Sequence, residues 1–108
     1  MRFFGLKTCD TCRKALKALH AAGHEPEVID VRADGLTEAD RAAILRAFGQ
    51  AAINKSSTTW RTLDESERAA DPSDLLKAYP TLMKRPVIEV DGRLYLGWKA
   101  DVQAALLG

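Results

Sequence analysis

Residues 1 to 31 constrain the fold of this chain more than any other stretch. They run strand, helix, strand with almost nothing between. MRFFG (1–5) is a short apolar run of the kind that makes a buried strand. DTCRKALKALHAA (10–22) sets Ala15, Leu16 and Leu19 at helical spacing, and Gly23 follows as a stop. Asp10 is the expected N-cap, because its carboxylate can accept the free amides of a first helical turn. PEVIDV (26–31) is rich in branched side chains and fits a second strand. Two strands joined through one helix over so short a distance pair in parallel, by a right-handed crossover.

The middle of the chain is helical in pattern. LTEADRAAILRAFG (36–49) has Thr37 as a cap, acidic residues in its first turn, and Gly49 after an apolar stripe of Ala43, Ile44, Ala47 and Phe48. STTWRTLDESERAA and DPSDLLKAY supply further helical pieces, the second opened by Asp71-Pro72. RPVIEVDGRLYLG then reads as a hairpin turning at Asp91-Gly92, and WKADVQAALLG closes as a helix. The order is β-α-β, a helical middle, β-hairpin, α. It fits a single α/β domain of thioredoxin-like fold, with residues about 36–80 as a helical insertion between its two halves.

Cys9 and Cys12 are the only cysteines in the chain. Composition limits what they can be for. The 108 residues suffice for a core without disulfides or metals. A net charge of +1 points to no polyelectrolyte partner, so no direct binding to nucleic acid is expected. MRFFGLKTC lacks the long apolar stretch of a signal peptide, and no run is long enough for a membrane helix. The expectation is a soluble cytoplasmic protein, where a close cysteine pair is catalytic, redox-sensing or metal-binding more often than structural. A structural zinc site normally takes two ligand pairs, and here there is one. His20 and His24 lie farther along the same helix and fit a polar helix end. No metal is expected. Inert packing at a helix start remains open beside redox use, but C-x-x-C next to a βαβ pattern is the redox signal.

The position of the pair favours a thiolate. Cys9 sits where the first strand hands over to the helix, and a helix N-terminus carries a partial positive charge of about half a unit. Lys7, Arg13 and Lys14 add cations. Cys9 is therefore the candidate nucleophile, with Cys12 one turn along as the resolving thiol. A second cluster, Lys84-Arg85-Pro86, precedes the hairpin. Pro86 can start a strand, and in thioredoxin-like folds a proline at this place faces the active cysteine. Arg85 beside it would bring a guanidinium able to hold an oxyanion through two hydrogen bonds.

CDTCRKAL, INKSSTTWRTLDE, MKRPVIEVDG and YLGWKAD together resemble the arsenate-reductase-like family, in order and spacing, along essentially the whole chain. That family includes glutaredoxin-coupled arsenate reductases, the Spx regulators and the YffB-like proteins, and the strings are most similar to the YffB-like branch. The resemblance implies that Cys9 is the nucleophile, and that Arg13 and Arg85 stand at arginine positions, the second at the anion site. It implies no bound cofactor, with glutathione as co-substrate and glutaredoxin as a partner. The arsenate reductases carry two further arginines, where this chain has Asn54 and Trp98; Lys55 and Lys99 are adjacent, and with Lys7 and Asn54 form the secondary candidates. Each lost charge-assisted contact is worth about 1.5–3 kcal/mol, which counts against arsenate. Those enzymes also have serine at the position of Cys12, whereas Spx-like regulators use C-x-x-C as a redox switch. The expectation is a glutathione- or glutaredoxin-linked thiol reductase; the alternatives are an arsenate reductase and an Spx-like redox sensor that binds RNA polymerase.

Overall fold

The computed structural model describes all 108 residues. The elements are β1 (Arg2–Gly5), α1 (Asp10–Ala21), β2 (Glu27–Asp30), α2 (Glu38–Phe48), α3 (Thr58–Thr62), α4 (Glu65–Arg68), α5 (Pro72–Ala78), β3 (Val87–Val90), β4 (Arg93–Leu96) and α6 (Ala100–Leu107), with 3-10 turns at Gly49–Ala52 and Pro80–Leu82. They fall into two compact units. One joins Met1–Asp30 to Arg85–Gly108; the other is Val31–Lys84.

The first unit holds the whole sheet, in the order β2-β1-β3-β4. β1 and β2 are parallel, as the crossover requires, with Phe3 opposite Val28. β1 runs antiparallel to β3, where Phe3 lies opposite Ile88, and β3 antiparallel to β4. The hairpin turns at Asp91 and Gly92 with φ of +49° and +80°. Both lie in the left-handed region that an Asp-Gly pair tolerates, so the twist of the turn matches that of the strands. Phe3 and Ile88 from the sheet, Cys12, Ala15 and Leu19 from α1, and Val102 and Leu106 from α6 make one core. A ring nitrogen of His24, just past α1, lies 3.1 Å from the Leu106 carbonyl at the end of α6. His20 is exposed.

One expectation fails here. Asp10 does not cap α1: the N-cap is Cys9, in extended conformation and without a side-chain cap bond. Asp10 is the first helical residue and is ion-paired with Arg13, one turn along. A first-turn carboxylate still faces the positive end of the helix, so the residue keeps a favourable place by another route.

The second unit is built on caps. Thr37 accepts the Asp40 amide at 3.1 Å to start α2, which stops at Gly49 with φ +56°. Ser57 caps α3, Asp64 and Glu67 form a reciprocal capping box on α4, and Asp71 precedes Pro72 on α5. The expected apolar stripe of α2 is only partly right. Ile44 is buried, Ala43 and Phe48 are half-buried, and Ala47 is exposed. Arg41 takes a buried place instead, 9% exposed, and its guanidinium donates to the Leu36 carbonyl at 2.7 Å. A long side chain can bury its stem and still satisfy a donor on the backbone. No helix is long and apolar enough to cross a membrane.

Candidate functional site

The site grows from the junction of β1 and α1. The chain leaves β1 at Gly5 and turns through Lys7 and Thr8, closed by the Cys9 amide donating to the Leu6 carbonyl at 3.2 Å. The Cys9 carbonyl then accepts the Arg13 amide at 3.0 Å, which starts the helical ladder. This leaves Cys9 half-buried at the mouth of the helix, packed against the edge of the core. Both cysteines are free thiols.

Their environments differ sharply. Cys12 belongs to the core and is 1% exposed. It shares the buried face of α1 with Ala15 and Leu19, at spacings of three and seven. Gly5 makes room for it, since a Cβ at Gly5 would lie 2.8 Å from the Cys12 sulfur and 2.8 Å from the Phe3 ring. The φ of Gly5 is not positive, so here glycine answers close approach rather than backbone conformation.

Burial pushes the Cys9 thiol up, but four effects outweigh it. The Cys12 backbone amide and the Cys12 thiol both donate to the Cys9 sulfur, and Arg85 adds a hydrogen bond and its charge; the thiol ends below its ordinary value. Cys12 goes the other way. Burial above all, with the neighbouring Cys9 adding to it against the opposing Leu6 amide and Arg85, pushes it up to about 12. The pair is thus split: Cys9 is eased toward the thiolate, while Cys12 stays a thiol that can donate to it.

Arg85 and Pro86 join this site at the start of β3, beside the end of β1. The Arg85-Pro86 bond is cis and Pro86 is fully buried. The Pro86 carbonyl accepts the Gly97 amide at 2.8 Å, which ties the loop after β4 to the start of β3. In that loop Trp98 is half-buried against the core, and its carbonyl accepts from the Gln103 side chain at 2.9 Å. Lys99, the N-cap of α6, is exposed, as is Lys7.

The structure thus brings Cys9, Cys12 and Arg85 together, with the buried Pro86 next to Arg85 in the chain. It turns Arg13 away to Asp10, the two side chains being 63% and 80% exposed. Asn54 and Lys55 belong to the second unit. There Asn54 accepts the Ser56 amide at 3.0 Å, and the Lys55 ammonium lies 5.8 Å from the Trp60 ring centre. Gly5 and Gln103 were not expected at the site. A trace of Gly5 was present in the sequence: with Cys12 on the Ala15–Leu19 face, something in β1 must yield space. Gln103 carries no such signal, because a side chain that bonds a loop carbonyl follows no pattern. No group of three His, Cys, Asp or Glu side chains is placed to hold a metal ion.

A four-stranded sheet of this topology, with a cysteine at the mouth of α1 and a proline at the start of the strand beside β1, defines a thioredoxin-like fold. Residues 4–106 match the ArsC family, and the chain belongs to it. It is 40% identical over 108 residues to an uncharacterized protein of Haemophilus influenzae, covering 94% of this chain and 95% of that one. A solved YffB protein is 34% identical with a TM-score of 0.90, over 98% of this chain and 97% of the other. An arsenate reductase (ArsC) related protein from Brucella melitensis is 33% identical with a TM-score of 0.73, over 96% and 93%. The chain is therefore an arsenate-reductase-like protein of the ArsC family.

Proposed function

We propose that this protein is a glutathione-linked thiol reductase in which Cys9 alone performs the exchange. The observation that carries this reading is the asymmetry of the pair: Cys9 is partly exposed at the helix mouth with its thiol eased below its ordinary value, while Cys12 is buried and kept a thiol. The Cys9 thiolate attacks one sulfur of a disulfide. A new S–S bond forms to Cys9, the old one breaks, and the electron pair leaves on the departing thiolate. A glutathione thiolate then attacks the mixed disulfide and releases Cys9 as thiolate. A second glutathione completes the reduction, so two glutathione thiols are oxidised for each substrate disulfide reduced. Arg85 stabilises Cys9 as attacking and as leaving group and can pair with a glutathione carboxylate. Arsenate finds less here, since within this unit Arg85 is the arginine at Cys9 and Arg13 is held by Asp10.

Mass spectrometry after incubation with glutathione disulfide tests the reading. One adduct per chain, on Cys9 and released by excess glutathione, is the expected result. Modification of Cys12, or no adduct at all, would overturn it.

A further inference from the structure

The charges of the first unit are not spread evenly over the sheet. Cys9 lies at the end of the sheet where β1 finishes and β3 begins, because Phe4 is opposite Val87. Lys7, Arg85 and Lys99 gather at that end. From there α1 carries cations outward. Arg13, Lys14 and Lys17 are exposed on its surface, and Cys12, Ala15 and Leu19 occupy its buried face. The carboxylate on that outer face, Asp10, is paired with Arg13, which leaves Lys14 and Lys17 unopposed. Asp101 in the first turn of α6 is the other exposed acid at this end, and Asp30 at the end of β2 is half-buried and engaged in contacts of its own.

At the opposite end the sign reverses. Glu27 lies opposite Arg2 at the start of β1, and the turn at Asp91 projects beyond the same edge. Glu25, Glu27 and Asp91 are exposed there, Arg2 is held by Glu89 at 2.8 Å, and the Arg93 guanidinium lies over the Tyr95 ring. A nearly neutral chain thus presents its nucleophile from a cationic surface.

Lys17 is eight residues past Cys9, about 12 Å along the helix axis at 1.5 Å per residue. That exceeds what one glutathionyl group on Cys9 needs, since Arg85 bonds Cys9 and Lys7 is only two residues from it. The geometry points to the outer face of α1, through Lys14 and Lys17, as a docking surface for an acidic protein segment that carries the thiol or disulfide exchanging with Cys9. The inference rests on Cys9 as nucleophile. It names the class of partner: a polypeptide with carboxylates flanking its reactive sulfur. Carboxylates on the partner would pair with the lysines, raise the encounter rate and set the register of approach. The exchange balances as before: the Cys9 thiolate forms an S–S bond to the partner's sulfur, and the partner's former disulfide mate leaves as thiolate.

The test uses two synthetic peptides, each with one cysteine as a mixed disulfide with thionitrobenzoate. One has Asp and Glu around the cysteine, the other Lys. Release of thionitrobenzoate reports attack by Cys9 on the peptide without any glutathione. This reaction and the glutathione adduct above can therefore fail separately. For the intact chain the acidic peptide should react about tenfold faster than the basic one at about 20 mM ionic strength, and the two should converge at about 1 M salt. In a Lys14→Glu/Lys17→Glu variant with an unchanged melting curve, the ratio of the two rates should collapse or invert. Equal rates for the two peptides in the intact chain would overturn the proposal. So would a preference that survives the double substitution. A third arm uses glutathione disulfide: if the variant slows it as strongly as the acidic peptide, the lysines steer small anions only, and the docking surface is refuted.

Discussion

An arginine of each unit is drawn in from solvent, and the two serve different ends. Arg41, in the helical unit, is buried and donates to the Leu36 carbonyl. Arg85, in the sheet unit, is half-buried and donates to the Cys9 sulfur. The residue type is the same, though Arg41 is buried and Arg85 keeps part of its surface in solvent. The acceptor decides the outcome. A carbonyl has one charge state, so the Arg41 contact can only contribute to folding. A thiol has two, so the Arg85 contact biases a chemical equilibrium. A buried guanidinium is thus evidence of chemistry only when its partner titrates.

The largest stability effect should come from the arginine with no chemistry. Arg41→Ala should cost about 1.5–3 kcal/mol, the usual worth of a hydrogen bond to a charged group, and should lower the melting temperature by several degrees. The pH profile of Cys9 alkylation should not move. A shift in that profile would break the division of roles between the two arginines.

Gly5→Ala should fall in a similar range, about 1–3 kcal/mol, because a methyl 2.8 Å from the Cys12 sulfur overpacks the core. It differs from Arg41→Ala in its second effect. The displaced Cys12 thiol should donate less well to Cys9, and the Cys9 profile should move to higher pH. Unfolding curves together with iodoacetamide rates check both halves. Lost stability with an unmoved profile would show that Gly5 serves packing alone.

These two residues also mark where the sequence was legible and where it was not. Glycines and caps with local jobs were plain: Gly23, Gly49 and Asp91-Gly92 stop or turn the chain where expected, and Thr37 and Asp71 start helices. Local signals are legible because their partners lie within a few residues. Asp10 misled because two local partners compete for one carboxylate, the first-turn amides and Arg13, and a sequence does not rank them. The place of Cys9 at a helix mouth followed from strand and helix boundaries, but its partial burial did not. The burial of Cys12 was encoded in its spacing to Ala15 and Leu19, yet the C-x-x-C pattern drew attention to chemistry instead. Arg41 was hidden because the face a helix buries depends on neighbours distant in the chain. The Arg85 contact needed β3 laid beside β1, and only tertiary structure provides that.

Replacing Cys12 separates its two properties. Cys12→Ala leaves a small gap and should cost about 1 kcal/mol. It also removes a donor to Cys9, so alkylation of Cys9 should need higher pH. Cys12→Ser keeps an O–H donor and should restore much of the Cys9 profile. If serine and alanine behave alike, the thiol is not acting as a donor. Stability against pH gives a second check. The folded Cys12 sits at about 12, above its unfolded value, so its contribution is complete below the unfolded pKa. It is lost as pH rises from about 8.5 toward that folded value. Both variants should therefore decline less steeply than the parent in alkaline urea titrations.

Arg85→Ala should have the smallest effect on folding and a large one on chemistry, the inverse of Arg41→Ala. A half-exposed guanidinium contributes little to stability, less than about 1 kcal/mol, because solvent screens its charge. Its effect on Cys9 runs through the thiolate. The hydrogen bond and the charge both favour the anion, so their loss raises the Cys9 pKa and lowers the thiolate fraction at neutral pH. Alkylation and glutathionylation should both slow at neutral pH and recover as pH rises, since the thiolate itself remains competent. Arg85→Lys should recover the charge but not the planar fork, giving a profile between the two. Glutathionylation should suffer more than alkylation, because glutathione also loses the guanidinium that pairs with its carboxylate, whereas iodoacetamide is neutral. The measurement is the pair of pH–rate profiles for parent, alanine and lysine variants, with a melting curve for each. Identical profiles in all three would remove Arg85 from the site. A melting temperature that falls as far as that of Arg41→Ala, with unchanged profiles, would make both arginines structural and erase the contrast between the two units.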